Sequence, residues 1–134
     1  MNWNYISGFF DADGYITMVR PNKNKNKTLV VGFTNVEFDL ITDIKTFIDN
    51  ELGIKGVVSK KKSRKETHSD SYDLKYTYNS ALKVIEKIDT IHPKKRHRKS
   101  IVTEQYIKLT PRNGKYTEDM KEKREKMVLS FFSH

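Results

Sequence analysis

The chain contains no cysteine, which removes disulfide scaffolding, thiolate metal sites and thiol nucleophiles together. No apolar run approaches the roughly 20 residues needed to span a bilayer. Met1-Asn2-Trp3-Asn4 also lacks the charged-then-apolar order of a secretory signal, so the chain reads as soluble and intracellular, with no membrane partner. Internal repeats, low-complexity tracts and interdomain linkers are missing too, and 134 residues at 36% hydrophobic content suit one compact domain over residues 1–134. Acid is the remaining shortage. Seventeen Asp and Glu face 26 Lys and Arg, a net charge of +9, which points to a nucleic acid or another anionic surface.

Against these absences stands one dense stretch, Tyr5-Ile6-Ser7-Gly8-Phe9-Phe10-Asp11-Ala12-Asp13-Gly14-Tyr15-Ile16. Its first part reads as a short helix with Tyr5, Ile6, Phe9 and Phe10 on a broad apolar stripe and the small residues Gly8 and Ala12 at i, i+4. A small-residue face lets two backbones approach closely. Gly14 is expected to end the helix with a positive φ. Asp13 then sits at the partly negative end of a helix, which prefers cations. A carboxylate kept there beside Asp11 would be relieved by a hard divalent cation. A calcium-binding EF-hand loop is excluded, because setting Gly14 at its sixth position puts Phe9 first and Arg20 twelfth, and neither is an oxygen ligand.

Ile6-Ser7-Gly8-Phe9-Phe10-Asp11-Ala12-Asp13-Gly14 resembles the signature of the LAGLIDADG homing endonucleases, with conservative departures at the first, second, fourth and fifth positions. In that family the motif helix pairs with a second copy, and the last Asp binds a divalent metal at the scissile phosphates. The resemblance therefore implies Asp13 as metal ligand, helped by the backbone carbonyl of Ala12, with Mg2+ as the cofactor and Mn2+ or Ca2+ able to occupy its site. No small-molecule cofactor is implied. One motif supplies one Asp13, so cutting both strands of double-stranded DNA calls for a homodimer. Its two-fold interface is expected at Ile6, Ser7, Gly8, Phe9, Asp11 and Ala12. A palindromic or nearly palindromic target and short 3′ overhangs follow from the same likeness.

The rest of the chain alternates strands and helices. Residues 15–20 and 28–34 read as a hairpin, 40–52 as a helix capped by Asn35, 56–65 and 72–77 as a second hairpin, and 82–88 as a helix capped by Asn79 or Ser80. Two further helices follow, one after the basic run Lys94 to Lys99 and one starting near Thr117. The expected class is α+β, in the order αββαββα of a LAGLIDADG fold, with an antiparallel β-sheet saddle for DNA and helices on its other face.

Alternation puts Leu29, Val31 and Phe33 toward the core and leaves a polar, basic outer face suited to a major groove. From the first hairpin that face takes Thr17, Val19, Arg20, Thr28, Val30 and Thr34, with Asn22, Lys23, Lys25 and Lys27 at its tip. From the second it takes Ser59, Lys61, Ser71, Asp73, Lys75 and Thr77, with Arg64 at the tip. Arg20 is open to either side, because a bend before Pro21 could turn it. Strand residues would read base edges and loop lysines would hold phosphates.

The family places a polar side chain just after the second strand to organise the attacking water, and Glu37 matches by position. It also brings a basic residue from the segment before a late helix; Arg96 or Arg98 fits, with Lys94, Lys95 and Lys99 as alternatives. His92 and His97 read as surface histidines, since there is no Cys and no helical His pair. The function expected is a site-specific, Mg-dependent DNA endonuclease of intron-encoded, free-standing type. The rival readings are an intron-RNA-binding maturase and a non-cleaving DNA-binding protein of the same fold.

Overall fold

A computed structural model describes residues 1–22, 26–63, 66, 69–110 and 116–133. The described elements run α1 (Trp3–Asp13), β1 (Gly14–Val19), β2 (Thr28–Asn35), α2 (Phe38–Leu52), β3 (Val57–Lys61), β4 (Ser71–Thr77), α3 (Tyr78–Lys87), α4 (Pro93–Gln105) and α5 (Glu118–Phe131). The strands form one sheet in the order β1-β2-β4-β3, antiparallel at every pairing. The two hairpins thus join edge to edge through β2 and β4, with Val31 opposite Tyr76 and Phe33 opposite Leu74.

Period-two alternation sorts the strands as expected. Ile16, Met18, Leu29, Val31, Phe33, Leu74 and Tyr76 enter one core with the helices, while Tyr15, Thr17, Gly32, Asp73 and Lys75 share the opposite face through their register. Helix α2 contributes Ile41, Ile44 and Ile48 at helical spacing, and α3 contributes Ala81, Leu82, Val84 and Ile85. Helices α4 and α5 extend this core at the β1 edge with Val102, Tyr106, Met127 and Phe131. No described helix is long and apolar enough to cross a membrane.

Four local expectations are revised. Gly14 is extended (φ −94°, ψ 171°), not left-handed. Its small size is what matters: a Cβ there would come within 2.8 Å of the Phe10 backbone. Helix α2 starts after Glu37, not after Asn35, because Asn35 still pairs in the sheet opposite Tyr72. Helix α3 starts straight off β4 at Tyr78, a non-glycine residue at φ 55°, rather than behind a cap at Asn79 or Ser80. The basic run does not precede α4 but forms its first turns, since Pro93 occupies the opening position, where its missing N–H costs nothing.

A polar anchor fixes the turn between α2 and β3. The helix ends at Gly53, left-handed at φ 63°, and Asp49 reaches past it to accept from the Gly56 N–H (2.9 Å) and the Tyr76 hydroxyl (2.8 Å). Lys45 pairs with the other carboxylate oxygen. Removing the acid strands two partly buried donors, each costing about 1–3 kcal/mol. Asp49→Ala is therefore expected to lower unfolding free energy by about 2–4 kcal/mol, read from urea midpoints at constant slope.

Candidate functional site

Helix α1 stands with one side in the core and one side open. Ile6 and Phe10 are fully enclosed, Phe10 meeting Phe33 edge-on at 5.9 Å. On the open side Tyr5 stacks against Phe9 at 6.3 Å, Ala12 is exposed, and a Cβ added at Gly8 would meet nothing within 4 Å. Of the residues expected at a two-fold interface, Gly8, Phe9 and Ala12 lie on this accessible stripe. Ile6 belongs to the core of the chain itself, and Ser7 points inward, its Oγ accepting from the Asp89 N–H at 2.9 Å.

The two acids of the motif have different surroundings. Asp11 accepts from the Thr90 hydroxyl and from the Ile91 N–H at 3.0 Å, so it latches α1 to the α3–α4 connection. Burial pushes its carboxyl up, but the Thr90 and Ile91 bonds, with Lys95 and His92 nearby, outweigh it and hold the group below the ordinary aspartate range. Asp13 is exposed, and its Oδ2 accepts from Asn35 Nδ2 at 3.2 Å. The Asn35 amide is oriented from its other end, where Oδ1 accepts from the Glu37 N–H at 2.9 Å. Glu37 itself is exposed at the start of α2 and makes no side-chain cap. Asn35 was legible in sequence only as a helix cap.

The basic side chain brought to the foot of α1 is Lys95. Its Nζ donates to the carbonyls of Phe10 (2.7 Å) and Asp11 (3.0 Å) and lies 5.1 Å from the Phe10 ring centre. Burial lowers its pKa, while Asp11 and Asp13 favour the charged form. Neither arginine named from sequence does this. Arg96 is exposed, and Arg98 turns to the α4–α5 side, donating to the Ile16 carbonyl at 2.8 Å and packing on Phe131 and Phe132. Helical spacing accounts for part of this: position 96 lies about 100° around α4 from position 95 and turns away, while position 98 lies within about 60° of 95 but one turn further along, where it reaches the β1 carbonyl of Ile16 instead of α1.

On the outer face of the sheet, Val19, Ser59, Lys61 and Lys75 are exposed, and Thr17, Thr34, Ser71 and Thr77 partly so. Thr28 and Val30 are only 5% and 2% exposed; the Thr28 hydroxyl bonds the Tyr106 hydroxyl at 2.9 Å. Asp73 lies in the middle of this face yet is 1% exposed. It accepts from the Tyr15 hydroxyl (2.9 and 3.1 Å) and from Thr34 Oγ1 (2.9 Å). Burial and the neighbouring Asp73 push the Tyr15 hydroxyl well above its usual range. Arg20 continues the inward phase of Ile16 and Met18. With Asn26, Lys27, Lys121 and Arg124 it lines a cleft of about 430 Å³ against α5, and Asn22 is exposed beside it in sequence. The expectations for Lys23, Lys25 and Arg64 fall outside the described residues. His97 is held against α5 by the Ser130 carbonyl at 2.7 Å.

Among the described residues no three or more His, Asp and Glu side chains gather to hold a metal ion. The chain offers one exposed motif carboxylate, Asp13, at the foot of α1, beside the last carbonyls of the helix.

The model of the LAGLIDADG-like domain matches residues 2–89. No curated protein sequence matches the chain. Two of the solved structures that share the fold are DNA complexes. The LAGLIDADG homing endonuclease I-GzeII, in complex with its DNA target, is 15% identical with a TM-score of 0.67, over 99% of this chain and 44% of that one. The LAGLIDADG meganuclease I-AabMI, bound to uncleaved DNA, is 9% identical with a TM-score of 0.57, over 97% of this chain and 44% of that one. The chain therefore spans less than half the length of either.

The Asp11 latch has a defined pH dependence. A carboxyl whose folded pKa is lowered stabilises the fold above its unfolded value and stops doing so as pH falls through the folded one. Asp11→Asn should be less stable than the parent chain at pH 7. The gap is expected to narrow only below about pH 3.8, the ordinary aspartate value, as measured by urea midpoints across pH 2.5–7.

Proposed function

The chain belongs to the LAGLIDADG-like domain family, and from that premise we propose that residues 1–134 act as one domain of a homodimeric, site-specific DNA endonuclease. The observation that carries this reading is the exposed Asp13 at the end of a helix that carries a stripe of small or flat residues along its open side: exposed Tyr5, Gly8 and Ala12, with half-buried Phe9 stacked on Tyr5. Two such helices packed through that stripe would bring their Asp13 carboxylates together.

Asp13, the Ala12 carbonyl and their copies in a second subunit fit a hard divalent cation. Mg2+ characteristically uses one or two carboxylates and leaves its other positions to waters and substrate phosphates, so a site with one exposed acid per subunit suits it, and Mn2+ or Ca2+ can substitute. When bound, the ion supplies Lewis-acid polarisation of the phosphodiester and a more acidic water. The protein's own part is positioning. Asn35 holds Asp13, and Lys95 quiets the helix-end carbonyls and places a cation beside the scissile phosphate. Glu37, exposed at the opening of α2, is the candidate for orienting the attacking water. On the sheet, Thr17, Val19, Ser59, Lys61, Lys75 and Thr77 face the major groove and Ser71 flanks them, while Arg20 and Lys27, off that face at the cleft against α5, are left for backbone phosphates at its edge. Asp73 is too enclosed to read a base.

A two-fold dimer reads a palindromic or nearly palindromic target and cuts to leave short 3′ overhangs. Incubation with Mg2+ and a plasmid carrying the target locus is expected to give linear DNA. DNA binding without a linear product would leave a non-cleaving binder, and RNA-only binding a maturase. Asp13→Asn should bind DNA as before but lose more activity than the roughly 10–100-fold that removal of an outer-shell partner costs. Gly8→Leu should shift the protein to monomer on sizing, because a branched side chain on the stripe holds the helices apart.

A further inference from the structure

The buried acid in the middle of the sheet's outer face is not needed for pairing strands, and it is an expensive group to hide. Asp73 is 1% exposed, and its described partners are the neutral hydroxyls of Tyr15 and Thr34. An apolar side chain of similar size would cost the fold less. Its placement explains its presence. Tyr15 follows Asp13 by two residues, and Thr34 immediately precedes Asn35, the residue whose Nδ2 donates to Asp13 Oδ2 at 3.2 Å. One carboxylate therefore grips the chain on both sides of the Asp13–Asn35 contact. The circuit is closed: Asp73 to Tyr15, along the backbone to Asp13, across to Asn35, back one residue to Thr34, and to Asp73 again.

Gly32 makes the circuit possible. It lies opposite Tyr15 in the β1–β2 register and opposite Lys75 in the β2–β4 register, so Tyr15 must cross β2 to reach Asp73. A Cβ at position 32 would fall 2.2 Å from the Tyr15 ring and 2.3 Å from its hydroxyl. The glycine is the gap through which the ring lies flat across the sheet.

We propose that Asp73, with Tyr15 and Thr34, is a positioning group that fixes the Asp13 carboxylate, holding Oδ2 on Asn35 and presenting Oδ1 to a divalent cation. The geometry stands by itself, while its consequence for cleavage rests on the nuclease reading above. Removing the Tyr15 hydroxyl would leave Asp13 and Asn35 in place chemically but free to move against each other.

The test uses the full-length Tyr15→Phe and Thr34→Val variants, with Asp49→Ala as a control destabilised elsewhere. Two readouts are taken: paramagnetic broadening of the Asn35 side-chain amide by Mn2+ alone, in NMR spectra of folded protein, and the Mg2+ concentration for half-maximal plasmid cutting. In Tyr15→Phe the Mn2+ concentration that broadens the Asn35 amide and the Mg2+ midpoint should each rise about 10-fold or more, with DNA affinity within about twofold of the parent. The Asp49→Ala control should leave both midpoints unchanged. Unchanged midpoints in both Tyr15→Phe and Thr34→Val would overturn the positioning role, whether or not the parent protein cuts. A shift in Mn2+ broadening with a parent protein that does not cut would uphold the positioning role and remove the nuclease reading alone.

Discussion

A helix that ends on acids gathers negative charge from its carboxylates and from its own last carbonyls, equivalent to about half an elementary charge. Helix α1 does this with Asp11 and Asp13, and much of the surrounding structure answers that charge. Lys95 spans the Phe10 and Asp11 carbonyls, and the Thr90 hydroxyl and Ile91 N–H take the Asp11 carboxylate. Asn35 takes one oxygen of Asp13. What these leave is one carboxylate oxygen at an exposed helix end, a position that favours a cation.

The division of labour between the two acids follows from helical geometry. Asp11 and Asp13 are two residues apart, about 200° around the axis, so their carboxylates bond different partners, Asp11 the α3–α4 connection and Asp13 the Asn35 amide. The inward one becomes a structural latch to the segment leading into α4, which also delivers Lys95. The outward one stays exposed, with Asn35 on one of its oxygens. Substituting one acid for the other in function is therefore closed by the shape of the helix, although both stand in the same short motif.

The sheet supplies the frame on which this end of the helix rests. Antiparallel registry through β2 and β4 brings Thr34 beside Asp73 and lets Tyr15 reach across Gly32. At the far end, Arg124 is 4% exposed and donates to the carbonyls of Leu109 (3.0 Å) and Lys27 (2.6 Å). The bond to Lys27 fixes α5 to the turn end of the first hairpin. Arg20 consequently meets α5 rather than the outer face, as the inward phase of its strand requires.

The amino-acid order by itself determined the layout: period-two alternation in the strands, helical spacing of Ile41, Ile44 and Ile48, a glycine stop at Gly53, and a motif in which Gly8, Ala12, Asp13 and Gly14 each have a local reason. These are short-range properties, fixed by periodicity and side-chain size. Which basic residue of the run from Lys94 to Lys99 meets α1 was decided only by the fold, because the choice depends on the rotation of α4 about its axis and on Pro93 opening that helix. The partnership of Asn35 with Asp13, the burial of Asp73 and the withdrawal of Ile6 and Ser7 from the exposed stripe were likewise tertiary. Each joins residues brought together by strand register or helix packing, and no local pattern in a single chain encodes the facing side.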